Sequence, residues 1–255
     1  KPGQPFVKDR VGFGKIYRIS DKKEMLKLLE LENGLAWTAH ARTKGSTSYP
    51  DQYKDEVFFK SPHFLGAAWK NIPADLSLPT LSRRVLDLMD DTNNWGLKKQ
   101  YIGQSDLFTI TFDNEMYAHS NVNYIQLGDL PKFDAGWPAV TEAIRSGRFF
   151  TSSGEVLLPS FSVNGKRVDE KAVLDQNGMA EVKVGINWTF PLNFVDIVSG
   201  DGQKVYHHRI DMKDKQAFGK DEFSFPVNLK GRKWVRLEVW DAAVNGAFTQ
   251  TVWLE

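Results

Sequence analysis

Cysteine is absent from this chain of 255 residues. Without a thiol the protein forms no disulfide, binds no metal through thiolate sulfur and uses no cysteine nucleophile. Long apolar runs are absent as well, since no stretch approaches the roughly 18 consecutive apolar residues of a membrane-spanning helix. These absences exclude a disulfide-stapled fold and a thiolate metal centre, and they argue against a membrane span.

An excess of one charge is also missing. The chain has 33 basic and 32 acidic residues, a formal net charge of +1, which argues against a nucleic-acid or membrane partner. No Walker loop, dinucleotide-binding glycine motif or Gly-x-Ser-x-Gly elbow occurs, so neither a nucleotide nor a serine nucleophile is indicated. Histidine is scarce, with five residues: His40, His63, His119, His207 and His208.

What the chain does contain is a change of hydrophobic period within residues 137–165. Pro138 suits a first helical position, apolar residues then recur at helical spacing, and Gly147 suits a C-terminal cap. Beyond it, residues 157–163 alternate as a strand toward the hairpin signal Asn164-Gly165. The change predicts two domains, an α/β domain over residues 1–151 and a β-sandwich domain over residues 152–255.

The first half reads as helix followed by strand. Asp21 and Glu24 form a capping-box pattern at the start of a helix, and a strand follows over residues 35–41. Residues 42–51 are polar and turn-prone, at the carboxyl end of that strand. In α/β folds such loops carry ligands.

The last third alternates strands and turns. Its pattern predicts a small antiparallel sandwich of the immunoglobulin-like kind. The predicted strands are 180–188, 194–199, 205–210, 223–229 and 234–240. In the last of these, Arg236 and Glu238 alternate with apolar residues, so we expect one face to be wet. Trp240 lies on the same predicted face of this strand as Arg236 and Glu238. A tryptophan there suits contact with carbohydrate or protein, or packing against the first half.

Several short pieces resemble one protein family. They are GLAWTAHARTKGS at 34–46, NVNYIQL at 121–127, RSGRFFTSSG with FSVNG in the 145–165 stretch, and WVRLEVWDAAVNGAFTQTVWL at 234–254. Together they resemble the carbaryl-hydrolase-like (CehA/McbA) branch of the PHP metallohydrolases. The resemblance implies an α/β fold with a partial or distorted PHP-like barrel, followed by the β-sandwich. The family's opening His-x-His motif occurs nowhere here, so the resemblance implies a C-terminal portion or a dismantled site.

His40 is the first candidate site residue, with Arg42 and Lys44 close behind it. A histidine there suits a metal ligand, and the two cations suit a bound phosphate or carboxylate. By resemblance, AHAR stands where the family has a His-Pro step beside its metals, with Ala41 replacing the proline. The alternative is a histidine bonded to a backbone group at the strand end.

A second constellation lies on one predicted loop. Asp113, Glu115 and His119 fall within seven positions, with Asp106 just before the preceding strand, and they suit a hard or borderline cation. The family has an Asp-x-His pair near this place, and Glu115 stands at the position of its histidine. A solvated acidic loop is the alternative.

These observations favour a metal-dependent hydrolase of phosphoesters or of carboxyl or carbamate esters. His40, Asp113, Glu115 and His119 would bind a divalent zinc, manganese or iron ion, and Arg42 and Lys44 would act in catalysis. The alternative is a non-catalytic module that binds carbohydrate or protein. The missing initiator methionine and the β-rich second half lead us to expect a periplasmic or secreted protein with a small-molecule or glycan substrate. A cytoplasmic address and the oligomeric state stay open.

Overall fold

The computed structural model describes residues 4–39, 41–42, 51–70, 77–81, 83–105, 109, 111 and 121–255. The described helices are α1 (Lys22–Leu31), α2 (Val57–Lys60), α3 (Arg83–Asn94) and α4 (Pro138–Arg145), with short 3₁₀ helices at Asp51–Tyr53 and Phe133–Ala135. The described strands are β1 (Val7–Arg10), β2 (Gly14–Tyr17), β3 (Ala36–Thr38), β4 (Phe64–Trp69), β5 (Ile102–Gly103), β6 (Val122–Ile125), β7 (Phe149–Ser152), β8 (Val156–Val163), β9 (Lys171–Ala172), β10 (Met179–Trp188), β11 (Leu192–Gly200), β12 (Val205–Asp211), β13 (Gly219–Asn228), β14 (Trp234–Asp241), β15 (Gly246–Thr249) and β16 (Val252–Leu254).

The helix predicted after Asp21 is confirmed as α1. The carboxylate of Asp21 accepts a hydrogen bond of 2.8 Å from the backbone N–H of Glu24, which satisfies one of the free donors at the helix start. The carboxylate of Glu24 in turn accepts from the backbone N–H of Ser20 at 2.8 Å. The capping-box pattern therefore locates this helix start correctly.

A three-stranded parallel sheet lies at the centre of the first half, in the order β3-β4-β5. All six residues of β4 are buried, as expected for a parallel strand covered on both faces. Gly66 is required within β4, because a Cβ there would lie 2.5 Å from the Tyr101 ring. The pairing of β3 with β4 shifts register between Ala36 and Thr38.

The prediction of a partial or distorted α/β barrel is wrong. The described chain is mostly β-structure, and none of its sheets closes into a barrel. Among the described strands, parallel pairing links only β3, β4 and β5, together with the short pair of β16 and β9. A closed barrel needs many successive strand-helix units, whereas most described strands pair with antiparallel neighbours.

The β-rich character predicted for the last third is confirmed. One sheet has the order β12-β11-β14-β15-β7-β6, with β16 beside β14 and β9 beside β16, and a second sheet has the order β13-β10-β8. The two sheets share one apolar core that includes Val182, Val184, Ile197 and Leu237. At the Asn164-Gly165 turn both residues have positive φ, 49° and 75°, as the hairpin signal predicts.

The helix predicted from Pro138 is confirmed as α4, and Gly147 beyond it has the expected positive φ of 81°. Strand β7 follows at once and pairs with both β6 and β15. No helix in the described part of the chain has the length and apolar character that spanning a bilayer requires. The domain boundary between residues 151 and 152 stays a prediction.

The prediction of a wet face on β14 is wrong. Arg236, Glu238 and Trp240 are fully buried, because α3 covers this face of the sheet. Arg236 binds Asp90 of α3 at 2.6 and 2.9 Å, and Arg83 of α3 binds Glu238 at 2.9 Å. The ring of Trp240 packs against Trp69 of β4, with centroids 6.4 Å apart. Packing against the first half is one of the roles predicted for Trp240.

Candidate functional site

The carboxyl ends of β3, β4 and β5 meet at one edge of the parallel sheet. Because the three strands run in the same direction, Thr38, Trp69 and Gly103 end their strands on the same side. In open α/β sheets, ligands bind beyond the carboxyl ends of the strands. We call this region the carboxyl edge, defined by Thr38, Trp69, Gly103 and, as shown next, Asn121.

Asn121 fixes the start of β6 against the carboxyl edge. Its side-chain nitrogen donates to the carbonyl of Trp69 at 3.1 Å and to the carbonyl of Gln104 at 3.0 Å. These bonds tie together the ends of β4 and β5. The side-chain oxygen of Asn121 is buried and has no hydrogen-bond partner among the described residues.

The amide of Asn123 joins β6 to β5 in the same region. It accepts from the backbone N–H of Gly103 at 2.7 Å and donates to the carbonyl of Gly103 at 2.9 Å. The amide of Gln250 makes the same two kinds of bond with Tyr101, two residues before Gly103. It accepts from the backbone N–H of Tyr101 and donates to its carbonyl, both at 2.9 Å. Side-chain amides therefore take the place of a backbone ladder where the parallel sheet meets the large sheet.

Thr38 brings a second unpaired oxygen to the carboxyl edge. The residue is buried, and within the described part of the chain its hydroxyl has no partner. Beside it, the indole N–H of the half-exposed Trp37 lies 3.5 Å from the side-chain oxygen of Gln104. Buried polar atoms without partners are uncommon in folded proteins, and one explanation is a bound ion or ligand.

Arg42 lies just beyond β3 and is held by two carboxylates. Its guanidinium forms ion pairs with Asp51 and, at 2.6 Å, with Asp91 near the end of α3, and these pairs use Nε and Nη2. Its backbone has a positive φ of 55°. Although burial by itself lowers the pKa of Arg42, the two carboxylates raise it above its usual value. Arg42 is thus a fixed cation whose charge is offset by its neighbours.

The other candidate residues from the sequence lie outside the described residues. They are His40, Lys44, Asp113, Glu115 and His119, together with Asp106. In sequence, His40 is followed by Ala41, which is fully buried just after β3. His119 stands two positions before Asn121, which precedes β6. The roles predicted for these residues and for Arg42 stay predictions.

The described residues contain no group of three or more histidines and carboxylates that could hold a metal ion. His63 bonds the carbonyl of Gly34 at 3.0 Å through Nδ1, which is a structural contact. His207 bonds the buried carboxylate of Asp196 at 3.0 Å on the outer part of the large sheet. A metal centre is therefore still a prediction from the sequence.

Sequence reasoning missed Thr38, Asn121, Asn123 and Gln250. Hydroxyl and amide side chains carry no charge pattern or spacing that marks them as part of a site. One signal was present, because the two asparagines and Gln250 fall within the short pieces that resemble the PHP branch. Amide side chains removed from water need hydrogen-bond partners, and here the partners are backbone groups at or beside the ends of β4 and β5.

Comparison of the chain with family models, with curated proteins and with solved structures yields no match. Membership of the PHP metallohydrolases therefore stays a prediction from the short sequence pieces.

Proposed function

We propose that this protein is a metal-dependent hydrolase whose site lies at the carboxyl edge. The observation that carries the proposal is the parallel order of β3, β4 and β5. The segment with His40 and Lys44 follows the end of β3, and the segment with Asp113, Glu115 and His119 joins the end of β5 to Asn121. Both candidate segments thus adjoin, in sequence, strands that end at the same sheet edge.

The chemistry of this edge fits a cation. Thr38 and Asn121 each have a buried oxygen without a partner among the described residues, so polar capacity is unused here. Imidazole nitrogens and carboxylate oxygens from the two adjoining segments would form a mixed ligand set. Such a set suits zinc, manganese or iron.

In this proposal His40, Asp113, Glu115 and His119 hold the metal. A bound divalent cation would lower the pKa of a water toward about 7 and polarise the substrate's ester or phosphoryl oxygen. Lys44 would bind the negative charge that develops on the substrate. Arg42, already paired with two carboxylates, would supply a fixed positive charge beside the site.

The amides have a positioning role. Asn121 and Asn123 fasten the start of β6 to the ends of β4 and β5, which sets the position at which the segment containing His119 returns to the sheet. The short pieces resembling PHP hydrolases give further support. The substrate class that fits the cations is a phosphoester, or a carboxyl or carbamate ester.

Metal content tests the proposal. We expect near-stoichiometric zinc, manganese or iron in the purified protein after exhaustive dialysis, and loss of that metal in the variant carrying His40→Ala and Asp113→Ala. His208→Ala, on an exposed part of β12, is the matched control and should keep the metal. Hydrolysis of aryl phosphates and aryl esters should follow metal content. Folded wild-type protein that takes up no added metal would overturn the proposal.

A further inference from the structure

An open groove lies between the β6–β7 pair and β8, lined by none of the residues that define the carboxyl edge. Its volume is about 480 Å³, within the range of ligand pockets. One wall comes from β6 and β7, the other from β8 and the turn that follows it. We call it the β6–β8 groove and define it by Tyr124, Arg148, Phe150, Phe161 and Arg167.

Aromatic rings form the apolar part of the β6–β8 groove. Tyr124 and Phe150 are cross-strand partners, and their rings stack with centroids 4.8 Å apart and an interplanar angle of 7°. Phe161 lines the opposite wall from β8. All three rings are only partly buried, so this surface stays in contact with solvent. Such a surface suits the flat apolar face of a ring-shaped ligand.

Two arginines give the groove a positive charge that is poorly paired. Arg148 lies 4.0 Å from Asp169, and Arg167 lies 3.8 Å from Asp169 and 3.8 Å from Glu170. These separations exceed hydrogen-bond length. Glu170 instead pairs with the ammonium of Lys166 at 3.1 Å. The guanidinium groups therefore keep donors for another acceptor.

Arg148 adds a more specific observation. Its Nε atom is buried and out of a ligand's reach, but the side chain as a whole is 33% exposed and lines the groove. Guanidinium groups bind carboxylates through two parallel hydrogen bonds, and a second arginine at the same groove strengthens the preference for an anion. The charge of the groove thus selects a negatively charged ligand.

We propose that the β6–β8 groove binds an acidic saccharide, a sugar ring that carries a carboxylate. The stacked rings would contact the C–H face of the sugar, and Arg148 and Arg167 would bind its carboxylate. This site does not depend on the metal site, and either can fail without the other.

Calorimetric titration with a short hexuronate oligosaccharide tests the proposal. We expect saturable binding, weakened about tenfold by Arg167→Gln and by Arg148→Gln, because each removes charge-assisted hydrogen bonds. Tyr124→Leu should weaken binding without changing its dependence on salt. Lys213→Gln, an exposed charge loss outside the groove, is the control and should bind like the wild type.

Three further ligands test whether the groove needs both the sugar ring and the carboxylate. A neutral oligosaccharide of the same length should bind at least about tenfold more weakly, and inorganic phosphate and benzoate should not compete at equal concentration. Equal binding of the neutral sugar, competition by phosphate or benzoate, or no hexuronate binding would each overturn the proposal. Because Arg167 is exposed, Arg167→Gln keeps the test valid if another variant does not fold.

Discussion

The two faces of β14 look different in sequence and are equally dry in the structure. Val235, Leu237 and Val239 face the core between the sheets, whereas Arg236 and Glu238 lie under α3. The first face is stabilised by apolar burial, and the second by opposite charges brought from a distant helix. Alternation of apolar and charged residues along a strand therefore identifies two faces without telling which of them meets water.

The charged face carries a network of ion pairs. Arg236 contacts Asp90 and Glu238, and Arg83 contacts the same two carboxylates. The indole N–H of Trp240 donates to Glu238 at 2.9 Å. Arg83 also contacts the half-exposed Asp87 at 2.6 Å, so two cations meet two buried carboxylates and one exposed carboxylate. This pairing reduces the large cost of burying each charge alone.

Removing one member of the cluster should have the largest effect on stability. Arg236→Met leaves Asp90 and Glu238 with Arg83 as their only cationic partner among the described residues, so we expect the free energy of unfolding to fall by about 3–5 kcal/mol. Urea unfolding at neutral pH measures it. Lys233→Met, an exposed cation just before β14, is the control and should change little. A loss below about 1 kcal/mol for Arg236→Met would mean that this face is hydrated.

The next effect is a loss of stability in acid, which should depend on the charged face of β14 and not on its apolar face. Burial alone would raise the pKa of Glu238, but Arg236 and Arg83 outweigh it and lower the pKa to about 2. A lowered folded pKa gives stability that is present above the ordinary value near 4.5 and lost as pH falls toward 2. Unfolding in urea between pH 5 and pH 2 should show this slope.

Two variants check the source of that slope. Glu238→Gln should flatten it, whereas Leu237→Ala, on the apolar face, should lower stability by about 2–5 kcal/mol at every pH and keep the slope. An unchanged acid slope in Glu238→Gln would assign the acid sensitivity to other groups.

A second pH effect should come from a buried cation of the first half. Lys99 donates to the carbonyls of Ser61 at 2.9 Å and Phe64 at 2.6 Å, and burial lowers its pKa to about 8. The unfolded chain then binds more protons between pH 8 and about 10.5, so stability should rise with pH across this window by up to about 3 kcal/mol. Lys99→Met should remove the rise. Equal pH profiles for the two proteins would contradict this.

The smallest effect should come from an exposed ion pair. Glu181 contacts Lys183 at 3.0 Å on the solvent side of β10. Exposed pairs contribute little, so Glu181→Gln should leave the unfolding midpoint within experimental error. The same chemical change at Glu238 should be plainly destabilising. Similar effects at the two positions would remove the distinction between buried and exposed charge.

The sequence predicted features that depend on near neighbours. The start of α1 at Asp21, the Asn164-Gly165 turn and the strands of the last third all follow from local capping, turn and alternation patterns. Arg236 illustrates what local patterns miss, since its partner Asp90 lies 146 positions away. The barrel prediction failed for a related reason. Helix-strand units can be recognised locally, but the number of strands and their pairing are set by distant contacts.

The candidate site shows the same limit. Strand ends and polar loops pointed to the surroundings of His40, and the structure adds that β3, β4 and β5 end at one edge. Thr38 and Asn121 could not be found in this way, because a hydroxyl or amide becomes notable only when its neighbours leave it unpaired. Gln250 is a clear case, as it bonds Tyr101 across 149 positions.

Zinc affinity tests the central claim most directly, which is that two separate segments serve one ion at the carboxyl edge. Titration calorimetry would compare the wild type with His40→Ala and with His119→Ala, and His208→Ala would serve as the control. We expect one ion per wild-type chain and a loss of affinity of about a hundredfold or more in each of the first two variants. Unchanged zinc affinity in either His40→Ala or His119→Ala would contradict the shared site.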